Sequence, residues 1–160
     1  MIQFEMACEA DAVVLKDIQM RAFLSQVPPD MPDLGGPEGY DTVEWQIESM
    51  KSAFYIKILS NDEIVGGMVL DEEEPDHCHL NRIFIDPPYH GQGIGTQALQ
   101  WLEKRFSRYS RWTLRTAAFH IRNQRLYERL GYKRTGEVEI MPGFSLVEYE
   151  KRIGVELTAA

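Results

Sequence analysis

The sequence has few of the features that mark secreted, membrane-spanning or metal-binding proteins. It contains only two cysteines, Cys8 and Cys78, without the close spacing of a metal site. We expect free thiols in a reducing cytoplasm, because stable disulfides belong to oxidising compartments, and a disulfide between the two is the alternative. No apolar run approaches the roughly 20 residues that span a bilayer. The N-terminus lacks the basic and apolar segments of a signal peptide.

Positive charge is also scarce. Seventeen Lys and Arg residues stand against 25 Asp and Glu residues, so the formal net charge is −8. A protein of this charge is a poor partner for nucleic acid or an anionic membrane, and we expect neither as a partner. A cationic partner is favoured, although acidity serves solubility alone in many proteins.

The length and the local patterns predict one domain, residues 1–160, since no repeat, low-complexity tract or long linker divides the chain. Strands are predicted over residues 2–7, 53–60, 64–70, 77–87, 111–119, 133–140 and 144–153. Helices are predicted over residues 9–26, 41–51, 96–106 and 122–132. This β-α-α-β-β-β-α-β-α-β-β order favours an α+β, or mixed α/β, fold on one largely antiparallel sheet flanked by helices.

Three local signals refine this assignment. Asp41 is expected to cap the second helix, with Glu44 three residues later as in a capping box. Gly131 is expected to end the last helix in the left-handed conformation. The acidic segment 71–76 is expected to connect two strands, either as a solvated turn or as a rim that attracts a cationic amine.

A glycine-rich stretch, HGQGIG at residues 90–95, follows a strand and leads into a helix. The first amides of a helix have no internal acceptor and carry partial positive charge. Glycine lets an anion approach them closely, so we favour a phosphate-binding turn over a turn that binds nothing. The stretch lacks the G-K-[ST] of a P-loop, and its glycine spacing differs from the dinucleotide-binding fingerprint.

The segment LNRIFIDPPYHGQGIGTQAL, with LYERLGY about thirty residues later, resembles the GNAT family of N-acetyltransferases. The pyrophosphate loop of that family has the form Q/R-x-x-G-x-G/A. Gly93 and Gly95 match this form, whereas His90 replaces the first Gln or Arg. The resemblance runs from roughly residue 53 to the C-terminus. It implies a three-layer GNAT-like fold whose sheet splays apart at the cofactor cleft.

The resemblance also implies acetyl-CoA as the cofactor and acetyl transfer to a primary amine by direct attack in a ternary complex. A non-catalytic CoA-binding sensor or regulatory module with the same fold is the alternative. The pantetheine arm would lie along one strand and the diphosphate on the glycine turn. The expected cofactor residues are Ile83, Phe84, Ile85, Gly91, Gln92, Gly93, Ile94, Gly95, Thr96, His120 and Asn123.

Two catalytic residues are expected from the same resemblance. Tyr127 would protonate the leaving thiolate, and ring packing in the core is the alternative. His79, near the position where many family members carry a glutamate, would act as the general base, and a solvated histidine at a strand end fits as well. Some members place a carboxylate base where this sequence has Arg115, which cannot serve, so His79, a water chain or the acidic segment is left as the base.

The acceptor is less defined by the sequence. Phe23, Tyr40 and Trp45 are expected either to shape an amine pocket or to fill the core. The acidic segment favours a small cationic amine, while a protein N-terminus stays open. We expect no metal, because His77 and His79 lack a third ligand. Cys78 is not expected to carry an acyl group, and a homodimer would be unsurprising.

Overall fold

The computed structural model describes residues 1–154, which contain seven strands, four α-helices and two short 3₁₀-helices, Glu9–Asp11 and Pro87–Tyr89. The strands are Ile2–Met6 (β1), Phe54–Ser60 (β2), Glu63–Glu74 (β3), His77–Ile85 (β4), Arg111–Ala117 (β5), Lys133–Met141 (β6) and Phe144–Arg152 (β7). The helices are Ala12–Leu24 (α1), Val43–Ser52 (α2), Ile94–Arg105 (α3) and Ile121–Arg129 (α4). Within residues 1–154 no helix is long and apolar enough to cross a bilayer.

The strands form one seven-stranded sheet in the order β1-β2-β3-β4-β5-β7-β6. β1 pairs with β2, β2 with β3, β5 with β7 and β6 with β7, all antiparallel. β4 and β5 are parallel, with His77 opposite Arg111 and Leu80 opposite Leu114. The predicted α+β class, element order and mostly antiparallel sheet are therefore confirmed.

The chain divides into two compact units. The first comprises Met1–Leu70 and Arg82–Ala98, and the second comprises Asp71–Asn81 and the chain from Leu99 onward. The core of the first unit is built by residues from α1, β2, β3 and β4, namely Leu15, Ile18, Ala22, Tyr55, Val69 and Phe84. Val14 of α1, next to the buried Leu15, is 45% exposed.

Tight turns form where the sequence predicted them. Asn61 and Asp62, at φ 50° and 71°, join β2 to β3. Both residue types tolerate the left-handed conformation that a two-residue hairpin needs. Gly131 follows α4 at φ 95°, as its expected role at the helix end requires.

Several boundary predictions were wrong: α1 spans Ala12–Leu24 rather than 9–26, β4 ends at Ile85 rather than 87, and α4 ends at Arg129 rather than 132. Three further errors have an identifiable cause. β3 continues through Glu74, so only Pro75 and Asp76 turn, and the acidic segment is mostly strand. This extension is stabilised because Asp71 and Glu72 accept hydrogen bonds from neighbouring side chains: Asn81 Nδ2 donates to Asp71 at 2.7 Å, and the donors to Glu72 are Arg108 and Tyr109.

The other two boundary errors concern helix starts. Thr42 caps α2 by accepting the Trp45 N–H at 3.2 Å, so Asp41 lies one residue before the cap. The hydroxyl of a threonine serves this role as well as a carboxylate does. α3 begins at Ile94, two residues before its predicted start at Thr96, because the glycine turn already brings the backbone into the helix there.

Strand alternation divides the second unit into an apolar and a polar face. Trp112 and Leu114 of β5 are buried, as are Val147 and Tyr149 of β7. Because successive side chains point to opposite faces, the residues between them share the other face. The β5 residues on that face lie opposite the β7 residues, with Thr113 across from Glu150 and Arg115 across from Glu148.

Two adjacent glycines in β3 allow β4 to approach closely. A Cβ at Gly66 would lie 2.3 Å from the Phe84 carbonyl oxygen, and one at Gly67 would lie 2.6 Å from the Phe84 ring. Neither contact can be relieved by rotating a flexible side chain end, since one atom is backbone and the ring is buried. Glycine is therefore required at both positions to pack Phe84.

We predict that Gly66→Ala lowers the free energy of unfolding by about 2–3 kcal/mol, because the new methyl group forces β3 away from β4. Urea denaturation monitored by tryptophan fluorescence measures the change. Gly136→Ala is the matched control, since its Cβ would meet only the flexible end of Glu148 at 3.1 Å. Equal stability of the two variants would contradict this account of β3.

Candidate active site

The glycine turn presents backbone N–H groups at the start of α3. Gly91 and Gly93 adopt φ 76° and 78°, and residues 91–93 are exposed. The Gln97 N–H donates to the Gly93 carbonyl at 3.1 Å. The amides before Gln97 therefore have no acceptor within the helix and carry the partial positive charge of its N-terminus. A Cβ at Gly93 would meet nothing within 4 Å, so the turn is open to a ligand.

His90 fastens this turn to the end of β4. Its Nε2 lies 2.7 Å from the Ile85 carbonyl oxygen. A carbonyl can only accept, so Nε2 carries the proton and donates. The residue that departs from the family pattern thus has a structural role, and Nδ1 is the ring nitrogen that can meet a ligand.

The backbone of β4 offers alternate residues on the side away from β3. The Asp86 N–H donates to the Val65 carbonyl at 2.8 Å, and the Phe84 carbonyl lies against Gly66. Residues 84 and 86 therefore face β3, and by alternation Ile83 and Ile85 face the opposite side. The Phe84 ring packs in the core, and contact of the cofactor with the backbone of Ile83, Phe84 and Ile85 stays a prediction.

A polar cavity of about 410 Å³ opens on the second unit. We call it the β5–β7 cavity. Its lining includes Glu73, His79, Thr113, Arg115, Glu148 and Glu150. Ionisable and hydroxyl side chains dominate this lining, which suits a small charged molecule more than an apolar one. Both positions considered for the base from sequence, 79 and 115, therefore line the same cavity.

One threonine hydroxyl holds two histidines in this cavity. Thr113 Oγ1 lies 2.7 Å from His77 Nε2 and 2.8 Å from His79 Nδ1. A hydroxyl has one proton and two lone pairs, so at least one of the two imidazoles donates to it. When His79 donates through Nδ1, its Nε2 lone pair is available to accept a proton.

Burial is the main influence on His79. It lowers the pKa of the imidazole, because the charged form loses hydration, and Arg115 and His77 lower it further. The carboxylates of Glu73 and Asp71 act in the opposite direction. The net result is a pKa below the ordinary value of 6.5, which keeps the ring neutral at pH 7.

Ion pairs across β5 and β7 fix the charged wall of the cavity. Arg115 Nε and Nη2 both donate to Glu148 Oε2, at 3.0 and 2.9 Å. Arg111 Nε donates to Glu150 Oε1 at 3.3 Å, and Arg152 reaches the same oxygen at 2.7 Å. The guanidinium groups are thereby held in place by carboxylates of the neighbouring strand.

Tyr127 lies on α4 and is 4% exposed. Its ring packs against Tyr132 and Tyr149 with centroid separations of 5.9 and 6.0 Å. Burial raises the pKa of the Tyr127 phenol, so it is protonated at neutral pH and able to donate. The ring thus packs in the core, and the role of the hydroxyl in catalysis stays a prediction.

His120 and Asn123 contact each other at the start of α4. The Asn123 side-chain amide lies 3.0 Å from His120 Nδ1 and 3.5 Å from Thr116 Oγ1. The His120 ring packs edge-on against Phe119 at 4.8 Å. Their contact with a cofactor stays a prediction.

One of the aromatic residues expected near the acceptor, Trp45, stacks on a buried arginine that the sequence reasoning missed. Arg82 is 7% exposed, stacks on the Trp45 ring at 3.7 Å and donates to Gln19 Oε1 at 2.9 Å. Phe23 and Trp45 pack against the core of the first unit, as the core interpretation predicted. Tyr40 fills the space over Gly36, where a Cβ would lie 2.8 Å from its ring.

Two features of the sequence indicate the positions of Arg82 and Thr113. Arg82 shares the inward alternation of Leu80 and Phe84 on β4, which marks it as a buried charge. Thr113 shares a strand face with Arg115, so the two side chains lie on the same side of the sheet. Neither signal identifies the partner across the sheet.

Both cysteines are free thiols, as expected. Burial raises the pKa of the Cys78 thiol to about 12, and nearby Asp71 and Glu72 contribute. A thiol that stays protonated is a poor acyl carrier. Within residues 1–154 no group of three or more His, Cys, Asp or Glu residues could hold a metal ion.

Comparison with known proteins gives a family match over most of the chain. A family model described as the Acetyltransferase (GNAT) family matches residues 15–132. N-acetylaspartate synthetase from Xenopus tropicalis is 31% identical over 112 residues, covering 66% of this chain and 40% of that protein. S-(2-succino)cysteine N-acetyltransferase from Bacillus subtilis is 35% identical over 83 residues, covering 49% and 50%. The chain thus matches half or less of the length of these two relatives.

Solved structures show the same fold. The ribosomal-protein-S18-alanine N-acetyltransferase from Escherichia coli has a TM-score of 0.77 at 16% identity, covering 96% of this chain and 94% of that one. PaiA N-acetyltransferase from Thermoplasma acidophilum, solved in complex with coenzyme A, has a TM-score of 0.76 at 16% identity, covering 95% and 99%. The fold expected from the glycine turn and the LYERLGY segment is therefore confirmed.

Proposed function

The chain belongs to the Acetyltransferase (GNAT) family, and from this premise we propose that it transfers the acetyl group of acetyl-CoA to a primary amine. The observation that carries the proposal is the exposed turn from Gly91 to Gly93, which leads into helix amides that have no intrahelical acceptor. Such amides bind anionic phosphates. The names of both relatives, a synthetase of an N-acetyl amino acid and an N-acetyltransferase, support the reaction class.

The first unit supplies the groups that would bind the cofactor. The amides from Gly91 to Thr96 would hold the diphosphate, which suits an acidic protein because local dipoles replace net positive charge. His90 Nδ1 and the Thr96 hydroxyl would add side-chain contacts. Backbone groups of Ile83 and Ile85 would hydrogen-bond the pantetheine arm as an added strand would.

The reaction needs a neutral amine, since an ammonium group has no lone pair with which to attack a thioester. His79 is the base in this proposal, taking the proton from the amine at Nε2. Its lowered pKa keeps it neutral at pH 7, and Thr113 orients the ring through Nδ1. Proton transfer by way of a water is an equivalent route for the same residue.

Tyr127 would stabilise the leaving thiolate. Its phenol is protonated at neutral pH because burial raises its pKa. A thiol of pKa about 8.5 is a stronger acid than this phenol, so the main contribution is a hydrogen bond donated to the sulfur. The thiolate is then protonated from solvent, to which His79 releases the proton that it takes from the amine.

The proposed acceptor is a small molecule. The two relatives described above are named for amino acids, aspartate in one case and S-(2-succino)cysteine in the other. These names favour the amine of an amino acid over a protein N-terminus. The cytoplasmic location and the homodimer expected from the sequence stay predictions.

Thiol release from acetyl-CoA tests the proposed activity. With a panel of amino acids, polyamines and peptide N-termini, we expect free CoA to form only when an acceptor is present, together with a product heavier by one acetyl group. A thiol reagent and mass spectrometry measure the two. CoA binding by calorimetry without any acceptor-dependent release would instead support the non-catalytic binding module.

We predict that Tyr127→Phe lowers kcat about 100-fold and leaves the KM for acetyl-CoA nearly unchanged, because the hydroxyl acts on the leaving group alone. Steady-state kinetics with the best acceptor separates the two constants. Tyr132→Phe is the matched control, since Tyr132 is a buried tyrosine in ring contact with Tyr127. A wild-type kcat in Tyr127→Phe would show that the residue only packs.

The pH profile should report His79. Its lowered pKa predicts that kcat/KM rises with pH through a midpoint below 6.5, because the imidazole must be neutral to accept a proton. Thr113→Val removes the acceptor of the Nδ1 proton, so the imidazolium is less stabilised, the midpoint falls further and kcat drops about 10-fold. Thr113→Ser, which keeps the hydroxyl, should restore both. An unchanged profile in Thr113→Val would remove Thr113 from the mechanism.

A further inference from the structure

We propose that the β5–β7 cavity binds the acceptor as an amino acid and that Arg115 selects it by binding its carboxylate. The inference rests on the proposed acetyl transfer and names its substrate class. The cavity of about 410 Å³ lies within the second unit and is lined by both carboxylates and guanidinium groups. A lining of mixed sign matches a zwitterion better than a molecule of one charge.

Arg115 keeps donors for a second carboxylate. Its contacts with Glu148 use Nε and Nη2 and converge on one oxygen, Oε2. A guanidinium has five N–H donors, so the Nη1 side and the outer edge can still form a bidentate pair. The side chain is 48% exposed, and Glu148 holds it from β7. The arginine is therefore accessible and already oriented, which reduces the entropy lost on binding.

The opposite charge lies near the histidines. Glu73 lines the same cavity, and its carboxylate acts on the pKa of His79 in the direction that a nearby negative charge requires. An ammonium group entering here meets Glu73 first and then gives its proton to the imidazole. The amine end of the acceptor is thus assigned to Glu73 and His79.

The spacing along β5 fits an amino acid between the two ends. Thr113, which holds His79, and Arg115 are successive residues on one strand face, about 7 Å apart. The amine and the carboxylate of one amino acid are separated by a few ångströms. A hydrogen bond at each end would span the rest of the distance between the two cavity groups. A diamine is disfavoured because it lacks the carboxylate that Arg115 would bind, and so it loses this contact.

This assignment revises the acceptor that the sequence favoured. The acidic segment suggested a cationic amine, but most of it lies on β3, where Asp71 and Glu72 bond to neighbouring side chains. Only Glu73 of that segment lines the cavity, which is also lined by Arg111 and Arg115, each paired with a carboxylate of β7. The position where other family members place a carboxylate base thus becomes, in this chain, a carboxylate receptor.

The test compares L-amino acids with their α-amides and with putrescine as acceptors in the thiol-release assay. We expect kcat/KM to fall about 10- to 100-fold when the carboxylate is amidated, and putrescine to react more slowly still. Arg115→Gln should lower kcat/KM for the amino acid by a similar factor, mainly through KM, and leave the amide unaffected. Arg115→Lys should retain part of the selectivity.

Arg134→Gln is the matched control, because Arg134 is a half-exposed arginine on β6 that pairs with Glu137 and does not line the cavity. Preference of the wild-type protein for amides or putrescine, or an Arg115→Gln variant with unchanged selectivity, would overturn the inference while leaving acetyl transfer intact.

A second measurement separates this inference from the proposed activity. Calorimetric titration of the protein, saturated with CoA, with each L-amino acid measures binding without turnover. If no amine is acetylated, the activity fails, and amino-acid binding that Arg115→Gln abolishes would still support the carboxylate site. Absence of any such binding in the wild-type protein would overturn the site as well.

Discussion

The two-residue alternation of β-strands is the constraint on which the candidate site depends. In β5 it buries Trp112 and Leu114 and turns Thr113 and Arg115 to the opposite face. The same alternation in β7 gives a buried Tyr149 and a cavity-lining Glu148. A shift of one residue in either strand would bury the charged set and expose the core, so the packing that stabilises the second unit also positions its ionisable groups.

The glycine turn and the β5–β7 cavity carry positive charge in two different ways, although the protein as a whole is acidic. Backbone dipoles at the start of α3 provide positive potential without adding a side chain, and glycine leaves the amides accessible. In the cavity, by contrast, every arginine carries a carboxylate partner from β7. The dipoles and charges at each site, rather than the net charge of −8, therefore set its local electrostatic potential.

Sequence reasoning recovered the element order, the sheet type and the turn that leads into α3, because apolar periodicity and glycine placement are local signals. It misplaced the start of α2 and the end of β3, where Thr42 and the partners of Asp71 and Glu72 decided the outcome. It also named His79 and Arg115 without seeing that one cavity joins them. Their relation depends on strand pairing between residues far apart in the chain, which no local pattern contains.

The contacts of Arg82 restrict the changes in sequence and length that evolution can make in the irregular segment before α2. The guanidinium donates to the Glu38 carbonyl and stacks on Trp45, and a Cβ at Gly39 would lie 2.1 Å from that indole. The final residues of the segment thus have almost no freedom, and Gly36 is equally restricted, since a Cβ there would lie 2.8 Å from the Tyr40 ring. Insertions and deletions among homologues should therefore accumulate between Val27 and Leu34, and the approach to α2 should keep its length.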